Sequence, residues 1–156
     1  MPILREQLQT DLPIEDAFAF IADFANAGRW DPGVASAERI DGHGAPEVGA
    51  IYRLGIRMGG GVRPMEYRIV QLEPARRVVL SGRGSGVEAV DDIRFETRDG
   101  GTHIDYVADI RLTGLRRLVS PFAGGTFARI ARDARDGMQR TLDEGARNRA
   151  SLAART

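Results

Sequence analysis

The chain contains no cysteine, which removes disulfides, thiolate nucleophiles and thiolate metal ligands together. It contains no lysine either, so all 22 basic residues are arginines and no amine is available for Schiff-base chemistry. Histidine is nearly absent. His43 sits in a Gly-rich turn, His103 alternates with Asp105, and neither belongs to an H-x-x-x-H spacing. A metal site is therefore not expected, nor is a cofactor. Net charge is also missing, because 22 acidic residues balance the 22 basic ones. No basic footprint points to nucleic acid or to an anionic membrane. Long apolar runs are lacking: Met1 to Thr10 mixes Arg5 and Glu6 with apolar residues, which fits neither a signal peptide nor an anchor. A cytoplasmic protein without stable membrane insertion is expected. No G-x-S-x-G elbow occurs, and Gly82-Arg83-Gly84-Ser85-Gly86 departs from G-x-G-x-x-G with no helix start behind it. It reads as a hairpin turn rather than a phosphate cradle.

What remains is a chain of 156 residues, 42% hydrophobic and 28% charged. That length supports one domain, residues 1–156, with a core of its own. The C-terminal run dominates the pattern. Phe127, Ile130, Ala131, Ala134, Met138 and Leu142 recur at steps of three and four, which predicts one apolar helix face from Phe127 to Arg149. The opposite face carries Arg129–Asp133, Arg132–Asp136, Asp136–Arg140, Arg140–Glu144 and Asp143–Arg147 at i,i+4, each pair worth about 0.2–0.5 kcal/mol. A helix this long and amphipathic needs an extended apolar surface to lie on.

The preceding chain supplies that surface. Ile3–Thr10 alternates as a first strand; Pro13, Glu15 and Asp16 mark a helix start, and Ile14, Ala17, Phe18 and Ile21 make its apolar stripe. A second short helical turn is expected over Asp23–Gly28, ended by Pro32-Gly33. From Val34 the period becomes two. Strands are expected at Ala35–Ile40, Gly49–Met58, Arg63–Leu72, Arg77–Gly82, Glu88–Thr97 and Thr102–Leu112, parted by Gly-rich turns as in an antiparallel meander. Tyr52, Leu54, Ile56 and Met58 share one face, as do Met65, Tyr67 and Ile69, and Ile104, Tyr106, Ala108, Ile110 and Leu112. The other faces are charged, so one side of the sheet is covered. The fold class is α+β. A curved antiparallel sheet of six or seven strands wraps a long C-terminal helix, with two short helices after the first strand. A curved sheet and a straight helix cannot touch everywhere, which favours a cavity between them.

Phe18-Ala19-Phe20-Ile21-Ala22-Asp23-Phe24, Trp30-Asp31-Pro32-Gly33-Val34, Glu73-Pro74-Ala75-Arg76-Arg77-Val78, Phe95-Glu96-Thr97 and Gly101-Thr102-His103-Ile104, closed by the long final helix, resemble the START-like polyketide cyclase/dehydrase and lipid-transport proteins, the SRPBCC group. The resemblance spans essentially the whole chain. It implies a helix-grip fold with an internal apolar ligand site between sheet and last helix, and it places the Trp30 segment near the pocket mouth. It names no ligand, because the group includes cyclases, lipid and sterol carriers, quinone-binding proteins and chaperone regulators.

The candidate pocket wall comprises Trp30, Tyr52, Tyr67, Phe95, Tyr106, Phe122, Phe127, Ile130, Ala134 and Met138. The bland alternative is that these residues fill a solid core. Three inward tyrosines weigh against it, since a buried hydroxyl requires a partner. Asp91 is the one candidate catalytic group. It shares the inward register of Ala89, Ile93 and Phe95 unless a register break near Gly86 turns it outward beside Asp92. Inside, it would be an unusual carboxylate able to act as a base. Gly59-Gly60-Gly61 is a turn that could serve as a lid, and Gly124-Gly125 could hinge the helix.

Two functions follow. The first is non-catalytic binding of a hydrophobic small molecule of the lipid, quinone, sterol or polyketide class, by a monomer or homodimer. The second is a polyketide cyclase or dehydratase that holds its substrate in a productive curl, with Asp91 or a pocket tyrosine as acid or base. An interaction module would need an exposed apolar patch, and the charged outer faces offer none.

Overall fold

A computed structural model describes residues 3–114 and 126–155, with the side chains of residues 126 and 127 excluded. Seven strands form one sheet: β1 (Ile3–Thr10), β2 (Val34–Arg39), β3 (Ile51–Met58), β4 (Gly61–Glu73), β5 (Arg77–Gly84), β6 (Val87–Arg98) and β7 (Gly101–Leu112). Their spatial order is β1-β7-β6-β5-β4-β3-β2, every pair antiparallel. Between β1 and β2 the chain crosses from one sheet edge to the other through α1 (Ile14–Ala22), a 3-10 turn (Phe24–Asn26) and α2 (Ala27–Trp30). One long helix, α3 (Thr126–Ala154), follows β7. It continues past the expected end at Arg149. The sheet is a curled half-barrel closed on α3, as the alternation predicted.

Turn chemistry explains the meander. Gly59-Gly60, Ser85-Gly86 and Asp99-Gly100 each supply two consecutive residues at positive φ between directly paired strand ends. That conformation matches the right-handed twist of a two-residue hairpin. Register shifts at Val34/Ser36 and Ile69/Gln71 are β-bulges, which bend the strands that carry them.

The concave face buries Leu8, Tyr52, Leu54, Met65, Ile69, Leu80, Ile93 and Ile104, with Phe18, Ile21 and Phe24 from the crossover and Met138 and Leu142 from α3. The convex face is arginine paired with carboxylate: Arg5–Asp105 at 2.7 Å, Arg77–Asp92 at 2.8 Å and Arg53–Glu66 at 3.6 Å.

Polar contacts fix the helix. Gln139 donates to the Gln9 carbonyl at 2.7 Å and Arg135 to the Gln7 carbonyl at 3.3 Å. These satisfy the open edge of β1, a strand edge that would otherwise invite pairing. The Thr141 hydroxyl stands between the Gly137 carbonyl of its own helix, at 2.8 Å, and the Arg29 carbonyl, at 3.2 Å, and Arg149 pairs with Asp16. At Gly137 a Cβ would stand 2.0 Å from the Trp30 carbonyl oxygen, so glycine lets α3 lie directly on α2. The five i,i+4 pairs expected along α3 do not close among the described residues: Asp136 pairs with Arg135, and Asp143 accepts from Gln139. Exposed pairs gain too little to hold two long side chains together.

Candidate functional site

Between the concave face and α3 lies a cavity of about 220 Å³. Its sheet wall comes from Leu4 and Leu8 of β1, Ile56 and Met58 of β3, Met65 and Tyr67 of β4, Val87, Ala89 and Asp91 of β6, and Tyr106, Ala108, Ile110 and Leu112 of β7. The helix wall is Ile130, Ala131, Ala134, Arg135 and Met138, and the end of α2 with the turn after it contributes Trp30, Asp31 and Gly33. The volume lies just below the usual ~300–1,000 Å³ of ligand sites, so the fit is to a compact molecule.

Asp91 faces inward and is only 6% exposed. No register break occurs: the Ser85-Gly86 turn keeps Val87, Ala89, Asp91, Ile93 and Phe95 on one buried face. The register that sets Asp91 opposite Ala108 and Ile93 opposite Tyr106 makes Asp91 and Tyr106 diagonal neighbours. The Tyr106 hydroxyl donates to Asp91 Oδ2 at 2.6 Å. Burial pushes the Asp91 carboxyl up to about 6, the Tyr106 hydrogen bond opposes that shift, and the charge of Asp31 adds to it. Burial likewise raises the Tyr67 and Tyr106 phenols well above the ordinary tyrosine range, so both stay protonated. Asp31 is raised too, chiefly by burial, against a hydrogen bond from the Gly33 amide and the charge of Arg57. The site is thus an apolar chamber holding a carboxylate–phenol pair with a second carboxylate nearby.

Trp30 is 4% exposed, its ring edge-on to Phe24 at 6.3 Å and to Tyr106 at 6.1 Å. Its indole N–H is buried and has no partner among the described residues.

The fold therefore brings together Trp30, Tyr67, Tyr106, Ile130, Ala134, Met138 and Asp91 around one space. Two expected wall residues lie elsewhere. Tyr52 is fully buried beside Phe24, at 6.4 Å between rings, and burial pushes its phenol up to about 12. Phe95 packs edge-on against Phe18 at 5.1 Å. Both have the inward register, but aromatic side chains of α1 and the 3-10 turn fill those parts of the concave face. Phe122, the side chain of Phe127 and Gly124-Gly125 lie outside the described residues. His43 is exposed, and His103 sits on the convex face.

Leu4, Leu8 and Arg57 are wall residues that the sequence reading does not name as such, while Ala89 and Ala108 carry only the inward register there. Leu4, Glu6 and Leu8 alternate, which was the available signal for β1 as a cavity wall. Glu6 lies 3.9 Å from Arg135 at the rim, and Arg57 donates to the Pro32 carbonyl at 2.7 Å. Among the described residues no group of three or more His, Asp or Glu could hold a metal, and no helix is long and apolar enough to cross a membrane.

A curled antiparallel sheet gripping one long helix around an internal chamber defines a START-like helix-grip protein. The family model for polyketide cyclase/dehydrase and lipid-transport proteins matches residues 1–143, and the chain belongs to that family. Among solved structures it is similar to a START superfamily protein from Mycobacterium smegmatis, with TM-score 0.70, 11% identity, and coverage of 94% of this chain and 97% of that one. It is also similar to the Zhui aromatase/cyclase from Streptomyces sp. R1128, with TM-score 0.67, 14% identity, and coverage of 96% and 95%. A Rhodobacter sphaeroides protein gives TM-score 0.63 at 20% identity over 90% and 91%. At these identities the structures establish the fold alone. No curated protein matches the chain in sequence.

Proposed function

We propose that the chain binds a compact, largely apolar small molecule in the chamber between the sheet and α3. The observation that carries this reading is the cavity of about 220 Å³, whose walls are apolar apart from the Asp91–Tyr106 pair, the Tyr67 hydroxyl, the Trp30 indole N–H and the rim. Membership of a family that includes lipid-transport proteins supports it. The size favours a ring system or short chain over a two-chain lipid.

The test is titration with an uncharged fluorescent naphthylamine probe, together with the variant Ala134→Phe. Ala134 lines the chamber from α3, and a phenyl ring there occupies the ligand volume. Saturable binding lost in Ala134→Phe, with the fold retained by circular dichroism, supports the reading. Equal binding to both proteins defeats it. Native mass spectrometry with organic extraction would then identify a co-purified ligand.

A second reading, a polyketide cyclase, is favoured by Asp91 itself. A buried carboxylate titrating at about 6 is matched to taking a proton from the carbon between two carbonyls near neutral pH. The chamber would hold the chain curled for ring closure. The aromatase/cyclase of the same fold supports this reading. Asp91→Asn with binding retained and turnover unchanged would remove Asp91 from that role.

A further inference from the structure

The charged and polar groups of the chamber restrict what can enter it. Among the described residues Asp91 has no arginine within ion-pairing distance, and its hydrogen-bond partner is Tyr106 alone. Tyr106 has one hydroxyl proton, already committed to Asp91 Oδ2, so it cannot also donate to a ligand. The other Asp91 oxygen remains an acceptor. Asp31 lines the same chamber and adds negative charge. Two cations stand at its margin: Arg57, which donates to the Pro32 carbonyl and whose charge offsets that of Asp31, and Arg135, held by the Gln7 carbonyl, Asp136 and Glu6. The other buried donors in the wall are the Tyr67 hydroxyl and the Trp30 indole N–H, and the indole has no partner among the described residues. The interior therefore holds two carboxylates, with the Trp30 N–H and the Tyr67 hydroxyl as its donors.

Resting on the binding reading above, we infer that this chamber selects an uncharged ligand whose polar end is a hydroxyl (an alcohol, phenol or enol) and rejects the carboxylate of the same skeleton. A hydroxyl donates to Asp91 and offers an oxygen to Trp30. A ketone could accept from the indole or from Tyr67 but would leave Asp91 unmatched. A carboxylate would bring a third negative charge beside Asp91 and Asp31 in a dry space, where like charges strongly oppose one another. An ammonium would have to shed its own water on entry, a cost of several kcal/mol per ion in general. The hydroxyl meets the hydrogen-bonding requirement without that loss.

Displacement of the naphthylamine probe by four matched compounds tests this: naphthol, naphthoate, aminomethylnaphthalene and methylnaphthalene, at neutral pH. Naphthol is expected to bind about tenfold tighter than methylnaphthalene, the usual worth of a hydrogen bond to a charged partner, and tighter still than naphthoate. Asp91→Asn is expected to narrow the naphthol–naphthoate gap several-fold while leaving methylnaphthalene unchanged. Asp31→Asn, which keeps the oxygen that caps Gly33, should narrow it as well. Naphthoate or aminomethylnaphthalene binding as tightly as naphthol overturns the inference and leaves the binding reading standing. So does a gap that survives both variants. If none of the four displaces the probe, or the probe binds equally to Ala134→Phe, the binding reading fails and this inference falls with it.

Discussion

Replacing Asp91 by Asn should stabilise the protein, and the gain should appear only as pH rises. The folded protein holds the Asp91 proton up to about pH 6, against 3.8 for an ordinary aspartate. Between those values the folded state binds more protons than the unfolded chain, so unfolding free energy falls as pH increases. Below the lower value the carboxyl is neutral in both states and costs nothing. Above the upper value it is charged in both, and the full penalty applies. A difference of about two pH units at ~1.36 kcal/mol each gives ~3 kcal/mol. At 6% exposure little solvent screening reduces it. Asn is never charged, and its oxygen can still accept from Tyr106. The stability difference between variant and parent should therefore be flat below about pH 4 and grow by up to ~3 kcal/mol by about pH 7, or roughly 6–12 °C in Tm for a chain of this size.

Urea unfolding at a series of pH values, with m unchanged between the two proteins, measures that difference. Asp41, held down to about 2 by Arg39, and Asp92, lowered by Arg77, pull stability the other way with pH. They are common to both proteins and cancel in the comparison. A difference that does not vary between about pH 4 and 7 would refute the reasoning, for it would mean that Asp91 carries no penalty for its charge.

Other perturbations address the frame around the chamber. Tyr106→Phe removes the hydrogen bond that favours the charged carboxylate, so the Asp91 titration should move further upward; carboxyl NMR reads it, and an unchanged midpoint contradicts the assigned bond. Gly137→Ala places a methyl 2.0 Å from the Trp30 carbonyl, backbone against backbone, and should cost ~3 kcal/mol or more; an unaltered thermal midpoint would contradict the close approach. Met138→Ala removes a side chain 1% exposed under the chamber and should cost ~2–5 kcal/mol by urea unfolding. A loss below about 1 kcal/mol would mean that α3 does not rest on Met138.

The architecture was legible because its signals are local. Alternation assigns Tyr67, Asp91 and Tyr106 to one face, and Gly-rich turns separate the strands, so β3 to β7 and the face of each follow from short windows of chain. Alternation does not say what covers a residue. Tyr52 and Phe95 have the same inward register as Tyr67 and Tyr106, yet Phe24 and Phe18 lie against them. That depends on where the crossover between β1 and β2 passes over the sheet, a long-range matter that no period of two or 3.6 encodes. The placement of β1 beside β7, which makes Leu4 and Leu8 cavity walls, is non-local for the same reason. The i,i+4 charges of α3 followed a real regularity, but solvation outweighs pairing at an exposed surface.

The two halves of the concave face differ in a way that bears on function. One half is filled by Phe18, Phe24, Tyr52 and Phe95, with ring centroids 5.1 to 6.4 Å apart. The other half sets alanine against alanine, Ala89 and Ala108 on the sheet facing Ala131 and Ala134 on the helix. Larger aliphatic residues at any of these positions would remove volume from the chamber and add burial worth ~0.8 kcal/mol per methylene. The same half holds a carboxylate whose charge costs ~3 kcal/mol at neutral pH. Missing volume and an uncompensated charge each destabilise a fold, and a core serving stability alone has no reason to put both in one place. A ligand that fills the volume and hydrogen-bonds the carboxylate offsets both at once. That coincidence favours a binding chamber over an imperfectly packed core.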